Sequence, residues 1–314
     1  MRKSLGIRNW EAAQKIVRDW EARIDGDSLS VKEGFERFLA DCMARNLGEA
    51  SLGKYRLLKK EMIARFGVRP VDGVSIEDLA EYRESWKLSA ISARKKIERL
   101  RTFFKFALER GWTEKNPAIL LRHPRSQQSP TLPVSDENIG KLVEATERYP
   151  AKGIYGDRTG KRIKAFLLVL RYSGVRIRDC VTLKKSSVKN GRLFLYSAKT
   201  GVPVHVPLPD FVIKELEGLG NGGEHFFWSG IGNVKSGVAD WQRSLARLGR
   251  LAVVKFHPHQ LRDSFAVKLL ENGVPLESVA ALLGNSVKVC EKHYSPWVKV
   301  RQDRLEEAVR RTFA

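Results

Sequence analysis

The segment from His259 to Tyr294 constrains the fold of this chain most. Its polar residues recur at spacings that would place their side chains on one surface if the segment is helical. His259 and Arg262 are three residues apart, so both side chains lie on one helix face and can reach one ligand, which we expect to be a phosphate. Residues 274–284 predict an amphipathic helix with a glycine stop, and residues 285–293 predict a short helix that delivers Tyr294. The sequence thus predicts an acid or base, a phosphate-binding cation and a nucleophile in one region.

These residues resemble the C-terminal signature of the tyrosine recombinase, or phage integrase, family. That signature is His-x-x-Arg, then Leu-Leu-Gly followed by His or Trp, then a tyrosine nine residues later. Here it reads His259-x-x-Arg262, Leu-Leu-Gly-Asn285 and Tyr294, so Asn285 stands where the family usually has His or Trp. Two interpretations of Asn285 stay open: its amide contacts a nonbridging phosphate oxygen without transferring a proton, or it caps the following helix.

An arginine motif lies upstream, at residues 174–179. Its sequence, Gly-Val-Arg-Ile-Arg-Asp, resembles the first arginine box of the family, which selects Arg176 and puts Asp179 where the family has Glu. Asp179 also has two interpretations. It orients Arg176 through a charge-assisted hydrogen bond, or it is an ordinary acid near a helix N-terminus.

A predicted hairpin supplies the last candidate. Residues 190–191 are Asn-Gly, a strong hairpin turn, and residues 192–196 and 204–208 predict strands. Lys199 lies between the two strands. The family holds its catalytic lysine at such a hairpin, so the resemblance selects Lys199.

The chemistry of phosphodiester cleavage explains why these residue types belong together. Attack on the phosphorus adds negative charge to the nonbridging oxygens, which the donor forks of Arg176 and Arg262 match without a metal. Lys199 is the candidate general acid for the leaving 5′ oxygen, and His259 is the candidate to help remove the proton of Tyr294. The resemblance implies a 3′-phosphotyrosine product, which would store the bond energy so that rejoining needs no ATP. We therefore expect no metal ion and no other cofactor.

The charge of the chain favours a polyanionic partner. Its 314 residues include 57 Lys and Arg against 36 Asp and Glu, which gives a net charge of +21 and a pI near 10.0. Because phosphate contacts release counterions, such a chain is expected to bind nucleic acid in a strongly salt-dependent way. The resemblance implies double-stranded DNA as the partner and a homotetramer on two DNA duplexes, with the final helix packed into a neighbouring protomer or against its own domain.

The sequence predicts a mainly α fold with a small β-sheet, in four segments. Residues 1–29 carry an N-terminal helix that resembles the remnant of an arm-binding domain. Residues 30–115 resemble the helical, SAM-like core-binding domain that clamps DNA in this family. Residues 116–133, with four prolines, predict a linker, and residues 134–314 resemble the mixed α/β catalytic domain. Helices of the second segment are expected at residues 31–45, 51–66, 76–86 and 90–110.

The chain shows no membrane or secretion signal in its sequence. No run of eighteen apolar residues occurs, and the first residues lack the apolar core of a signal peptide. Cys42, Cys180 and Cys290 are scattered without disulfide or metal-ligand spacing. We therefore expect a cytoplasmic protein without a membrane partner.

Two alternative functions stay open. A DNA-binding relative without strand transfer would keep the basic surface while Asn285 marks a decayed site. A DNA-relaxing enzyme of the type IB topoisomerase class would use related chemistry without a defined site. A covalent adduct that depends on Tyr294 separates the first alternative from an active enzyme.

Overall fold

The computed structural model describes residues 29–125, 132–151, 156, 158–220, 222–297 and 299–313. The helix predicted within residues 1–29 lies outside the described residues. The chain divides into two compact units, Met1–Gln128 and Ser129–Ala314. Within the described residues, no helix is both long enough and apolar enough to cross a membrane.

The first unit contains the four helices that the sequence predicts. They are α1 (Val31–Ala44), α2 (Glu49–Phe66), α3 (Ile76–Glu84) and α4 (Ala90–Glu109). Helices α1 and α3 begin with capping boxes, in which Ser30 pairs with Glu33 and Ser75 with Asp78, so both first turns have satisfied backbone donors.

Aromatic side chains form the centre of this unit. Phe35 stacks on Phe103 with ring centroids 3.7 Å apart, and Phe103 and Phe104 are fully buried. Phe106 is half-buried and packs edge-on against Phe38. Each large side chain removed from water contributes roughly 1.5–3 kcal/mol to folding. The three phenylalanines of α4 are therefore core residues, as the helical stripe predicts.

Residues 117–121 of the predicted linker pack against the first unit. Residues Pro117–Leu120 form a 3-10 turn in which Ala118 is fully buried. Arg101 of α4 donates hydrogen bonds to the backbone carbonyls of Ala118, Ile119 and Leu121. This shortens the stretch left to connect the two units, whose centre at residues 126–131 lies outside the described residues.

The second unit combines helices with a three-stranded antiparallel sheet in the order β1-β2-β3, which matches the predicted fold class. The strands are β1 (Val188–Lys189), β2 (Arg192–Tyr196) and β3 (Pro203–Pro207). The helices are α5 (Asp136–Ala145), α6 (Arg158–Ser173), α7 (Ile177–Val181), α8 (Asp210–Glu217), α9 (Val234–Leu251), α10 (Pro258–Glu271), α11 (Leu276–Leu283), α12 (Val287–Tyr294) and α13 (Lys299–Phe313).

The sheet follows from its turns and its alternating burial. Asn190 and Gly191 both have positive φ angles, of 49° and 71°, which suit the tight turn between β1 and β2. Leu193 of β2 pairs with Val206 of β3, and both side chains are buried. Residues 197–202 turn back from β2 to β3, so Lys199 lies in this turn.

The end of α6 is a sharp bend that only glycine permits. Gly174 has a φ of +63°, and a Cβ there would lie 2.5 Å from Cδ1 of Phe265. The close packing of α6 on α10 therefore depends on this glycine. It also brings the chain to Arg176 beside the N-terminal half of α10.

Candidate active site

A cavity of about 540 Å³ in the second unit brings all six predicted reaction residues together. Four separate segments supply them: the bend after α6, the β2–β3 turn, the N-terminal half of α10 and the α11–α12 region. The lining residues are Leu132, Arg176, Lys199, His257, His259, Gln260, Arg262, Asp263, Asn285, Val289, His293 and Tyr294.

Arg176 is held by two neutral groups from distant parts of the chain. It is the N-cap residue of α7, and its Nη1 donates to Ser197 Oγ at 2.7 Å. Its Nη2 donates to Asn285 Oδ1 at 2.6 Å. These contacts fix the guanidinium without neutralising its charge.

Asp179 supports the turn that carries Lys199. Its carboxylate accepts hydrogen bonds from the backbone NH of Ala198 at 2.9 Å and from Ser197 Oγ at 3.3 Å. The direct hydrogen bond to Arg176 considered from the sequence is replaced by a link through Ser197. Asp179 therefore orients Arg176 only indirectly.

Arg262 is a buried cation, with a relative exposure of 3%. Its Nη1 donates to the carbonyl of Gly174 at 2.6 Å and its Nη2 to the carbonyl of Leu283 at 2.8 Å. Burial, reinforced by the charge of Arg176, lowers the pKa of Arg262 to about 10. Among the described residues, no carboxylate oxygen lies within 4.0 Å of either guanidinium. Within the described residues, neither arginine of the cavity therefore forms an ion pair.

Tyr294 ends α12 with a relative exposure of 3%. Its hydroxyl group donates a hydrogen bond of 2.7 Å to Asp263 Oδ1. Burial, and then this contact with the carboxylate, raises the pKa of Tyr294 well above its ordinary value. The tyrosine is therefore a neutral phenol in the absence of a ligand.

His259 is an exposed residue whose imidazole faces the same carboxylate. Its Nε2 lies 3.9 Å from Asp263 Oδ1. Partial desolvation lowers the pKa of His259, and the nearby cations Arg262 and Arg176 lower it further against the opposing effect of Asp263. The imidazole is therefore kept neutral at lower pH than an ordinary histidine.

Lys199 lies in the β2–β3 turn with an exposed side chain, and within the described residues its ammonium has no ion pair. The turn itself is connected to the end of α11, because Thr200 Oγ1 donates a hydrogen bond to the carbonyl of Gly284 at 3.4 Å.

Asn285 contacts Arg176 and does not cap α12. The N-cap residue of that helix is Ser286, whose side chain accepts from the NH of Val289. Of the two interpretations from the sequence, the structure favours a contact of the Asn285 amide within the cavity. The partner in the structure is Arg176 and not a phosphate oxygen.

Sequence reasoning missed two residues that the structure brings to these groups, Asp263 and Ser197. A signal for Asp263 existed, since it follows Arg262 directly and lies one helical turn from His259. Ser197 carried no local signal.

No cluster of three or more His, Cys, Asp or Glu side chains suited to a metal ion occurs among the described residues. The expected independence from metals stays a prediction.

Comparisons with known proteins show the family to which this chain belongs. A family model described as the phage integrase family matches residues 134–295, which is more than half of the chain. Tyrosine recombinase XerD of Rhizobium meliloti (strain 1021) is 27% identical over 249 residues, covering 75% of this chain and 79% of the relative. The chain belongs to the phage integrase family, and it is an enzyme of the tyrosine recombinase class.

Solved structures share the fold. A lambda integrase (75–356) dimer bound to a COC′ core site superposes with a TM-score of 0.68 at 18% identity, covering 83% of this chain and 97% of that one. A lambda integrase tetramer bound to a Holliday junction gives a TM-score of 0.67 at 18% identity, covering 90% of each chain. At this identity, the likeness concerns the fold alone.

Proposed function

We propose that this enzyme cleaves and rejoins DNA at specific sites through a covalent bond between Tyr294 and a 3′ phosphate, without a metal ion or ATP. The observation that carries the proposal is the pair of guanidinium groups, Arg176 and Arg262, that line one cavity with the phenol of Tyr294 and have no carboxylate partner among the described residues. Arg262 is buried, and a buried cation without an ion pair is costly unless an anion joins it. A phosphodiester is the anion that this arrangement fits.

The two arginines act on the charge of the reaction. Arg176 and Arg262 each retain donors beyond the two that they use in the protein. In the transition state, the nonbridging oxygens carry extra negative charge, and donors already fixed in place stabilise it without reorganising. Asn285 helps to position Arg176 through its amide oxygen.

Lys199 and His259 act on the protons. As the Tyr294 oxygen bonds to phosphorus, Lys199 donates a proton to the departing 5′ oxygen, and His259 assists removal of the phenolic proton. Rejoining is the reverse, in which a 5′ hydroxyl group attacks the phosphotyrosine. One phosphoester bond replaces another, so no external energy source is required.

Binding to double-stranded DNA is supported by the net charge of +21 and by the lambda integrase complexes. In the first unit, Arg94 and Lys95 of α4 are exposed and free to contact phosphates. Lys96 instead lies over the rings of Tyr82 and Trp86, at 4.7 and 4.4 Å from their centroids, and so has a structural role. We propose that residues 30–115 are the DNA clamp and residues 134–314 the catalytic domain.

A homotetramer on two duplexes is supported by the lambda integrase tetramer on a Holliday junction. Helix α13 is consistent with it, since the side chains of Val309 and Phe313 are 57% and 84% exposed. Apolar side chains left exposed on a terminal helix suit packing against a neighbouring protomer.

The experiment that tests the proposal is formation of an SDS-resistant protein–DNA adduct on nicked duplex fragments from the DNA that flanks the gene. Wild type is compared with Tyr294→Phe and with Tyr196→Phe, which alters a tyrosine that does not line the cavity. We expect an adduct with wild type and Tyr196→Phe and none with Tyr294→Phe, at equal DNA binding.

Two results would overturn this assignment. DNA binding by wild type without an adduct would favour a DNA-binding relative that lacks strand transfer. Relaxation of supercoiled plasmids of any sequence, without strand exchange between duplexes, would favour a topoisomerase.

A further inference from the structure

Asp263 is a buried acid in direct contact with the nucleophile. It has a relative exposure of 7%, and its Oδ1 accepts the hydrogen bond of 2.7 Å from Tyr294. The other ionisable group near this oxygen is His259, at 3.9 Å, and within the described residues no Lys or Arg nitrogen lies within 4.0 Å of the carboxylate. A buried carboxylate is rarely left without a cationic partner, because the desolvation cost is high. Its position beside a reacting hydroxyl group therefore calls for a role in the reaction.

We propose that Asp263 is the immediate proton acceptor of Tyr294 during strand cleavage. As the Tyr294 Oη–phosphorus bond forms and the phosphorus–O5′ bond breaks, the phenolic proton moves to Asp263 Oδ1, and Lys199 protonates the leaving O5′. In rejoining, the Asp263 carboxylic acid returns the proton to the tyrosyl oxygen. This inference rests on the proposed function and assigns the first step of proton removal within it.

The geometry fits general-base catalysis better than a purely structural contact. A nucleophile activated by a neighbouring base lies within hydrogen-bond reach of it, at about 2.6–3.2 Å. A carboxylate is a much weaker base than a phenolate, so the proton stays on Tyr294 at rest. It transfers only when the oxygen bonds to phosphorus and its basicity falls. The enzyme is thereby kept unreactive until a phosphodiester is in place.

His259 then connects the buried carboxylate with solvent. Its side chain is 62% exposed, and the imidazole is held neutral, so it can take the proton from Asp263 or return it. This arrangement makes His259 a second proton acceptor. It also gives a reason for the position of the imidazole beside Asp263.

The test compares Asp263→Asn with wild type on two nicked substrates, one natural and one with sulfur replacing the bridging 5′ oxygen. A thiolate leaves without protonation, so the sulfur substrate removes the need for Lys199 and reports on attack by Tyr294. Asparagine keeps the shape and an accepting oxygen but takes no proton at neutral pH. Asp136→Asn, which removes an exposed acid outside the cavity, is the matched control.

We expect Asp263→Asn to slow adduct formation about 100-fold or more on both substrates, with unchanged DNA binding and melting temperature. Lys199→Ala should be slow on the oxygen substrate alone, and Asp136→Asn should match wild type. A rate for Asp263→Asn within about threefold of wild type, or above it, would overturn the proposal. If the asparagine variant fails to fold, Asp263→Ser carries the same test. Failure of wild type to form any adduct would instead refute the proposed function, and this inference with it.

Discussion

The two sides of the cavity are built in opposite ways. On α10, Arg262 and Asp263 are buried, and each side chain has a defined hydrogen-bond partner. In the β2–β3 turn, Lys199 is exposed and its ammonium is free within the described residues. The groups proposed to act on the phosphate and the nucleophile are thus held by protein contacts, whereas the proposed acid for the leaving oxygen has no such contact among the described residues.

The free lysine nevertheless lies in a turn that is held at both ends. Asp179 accepts from the NH of Ala198, and Thr200 contacts the carbonyl of Gly284. The backbone is therefore placed near Arg176 and Asn285, and only the long side chain of Lys199 retains its rotamer freedom. That freedom carries an entropic cost on binding, which the fixed side of the site avoids.

The largest effect is expected on the fixed side. Arg262→Lys keeps the charge, but a single ammonium cannot replace a fork that contacts two carbonyls and a phosphate. Adduct formation should fall by about 10²–10³-fold, measured in single turnover, with DNA affinity little changed. Arg171→Lys alters another buried arginine, paired with Asp136 outside the cavity, and should stay near the wild-type rate. Equal losses of binding and cleavage would make Arg262 an ordinary phosphate anchor.

A smaller effect, which a modified substrate can reverse, is expected for Lys199 in the β2–β3 turn. Lys199→Ala should slow adduct formation about 100-fold on a natural nicked substrate, because the leaving oxygen loses its acid. Replacing the bridging 5′ oxygen with sulfur should restore the rate. Lys189→Ala, at an exposed lysine on β1, serves as the control. A defect that persists with sulfur would mean that Lys199 has a different role.

Asn285 contacts Arg176 and lies beside the β2–β3 turn. Its replacement should reduce the rate of adduct formation less than the two changes above. Asn285→Ala deletes one hydrogen bond to a charged group and should slow adduct formation about tenfold, equivalent to about 1.4 kcal/mol. Ser286→Ala removes the adjacent helix cap and should lower the melting temperature without changing the rate per folded molecule. The reverse pattern would make Asn285 a structural residue.

The smallest effect is a displacement of the pH profile. Neutral imidazole is the form of His259 that accepts a proton, and its pKa is lowered from 6.5. Adduct formation should therefore persist as pH falls below 6.5 and decline only through the lowered pKa. Rates on the sulfur substrate between acid and neutral pH measure this decline, and the pH at which it occurs should change in His259→Gln. An identical pH dependence in that variant would mean that His259 does not accept the proton.

Local pattern predicted the elements that carry the site. The glycine stop at Gly284, the Asn-Gly turn and the helical spacing of α10 are short-range signals, and each is observed. Helix α9 was not predicted, although Trp241, Leu245 and Leu248 recur at helical spacing.

The contacts within the site could not be read from the sequence. Asp263 meets Tyr294 across 31 residues, and Arg176 meets Asn285 across 109. Such pairs depend on how α6, α10 and α12 pack, which periodicity does not specify. The sequence therefore predicted which residue types belong to the cavity, while the assignment of partners required the fold.

The proposed bond between Tyr294 and DNA is tested by mapping the residue that becomes linked to DNA and the strand end that it holds. Trapped adduct is digested, and the DNA-bound peptide is identified by mass spectrometry, with the released strand analysed for its terminus. We predict a peptide modified at Tyr294, linked to a 3′ phosphate, and a released strand with a 5′ hydroxyl group. Attachment at another residue would show that Tyr294 is not the nucleophile, and a phosphate left on the 5′ end would show that the 3′ linkage is wrong.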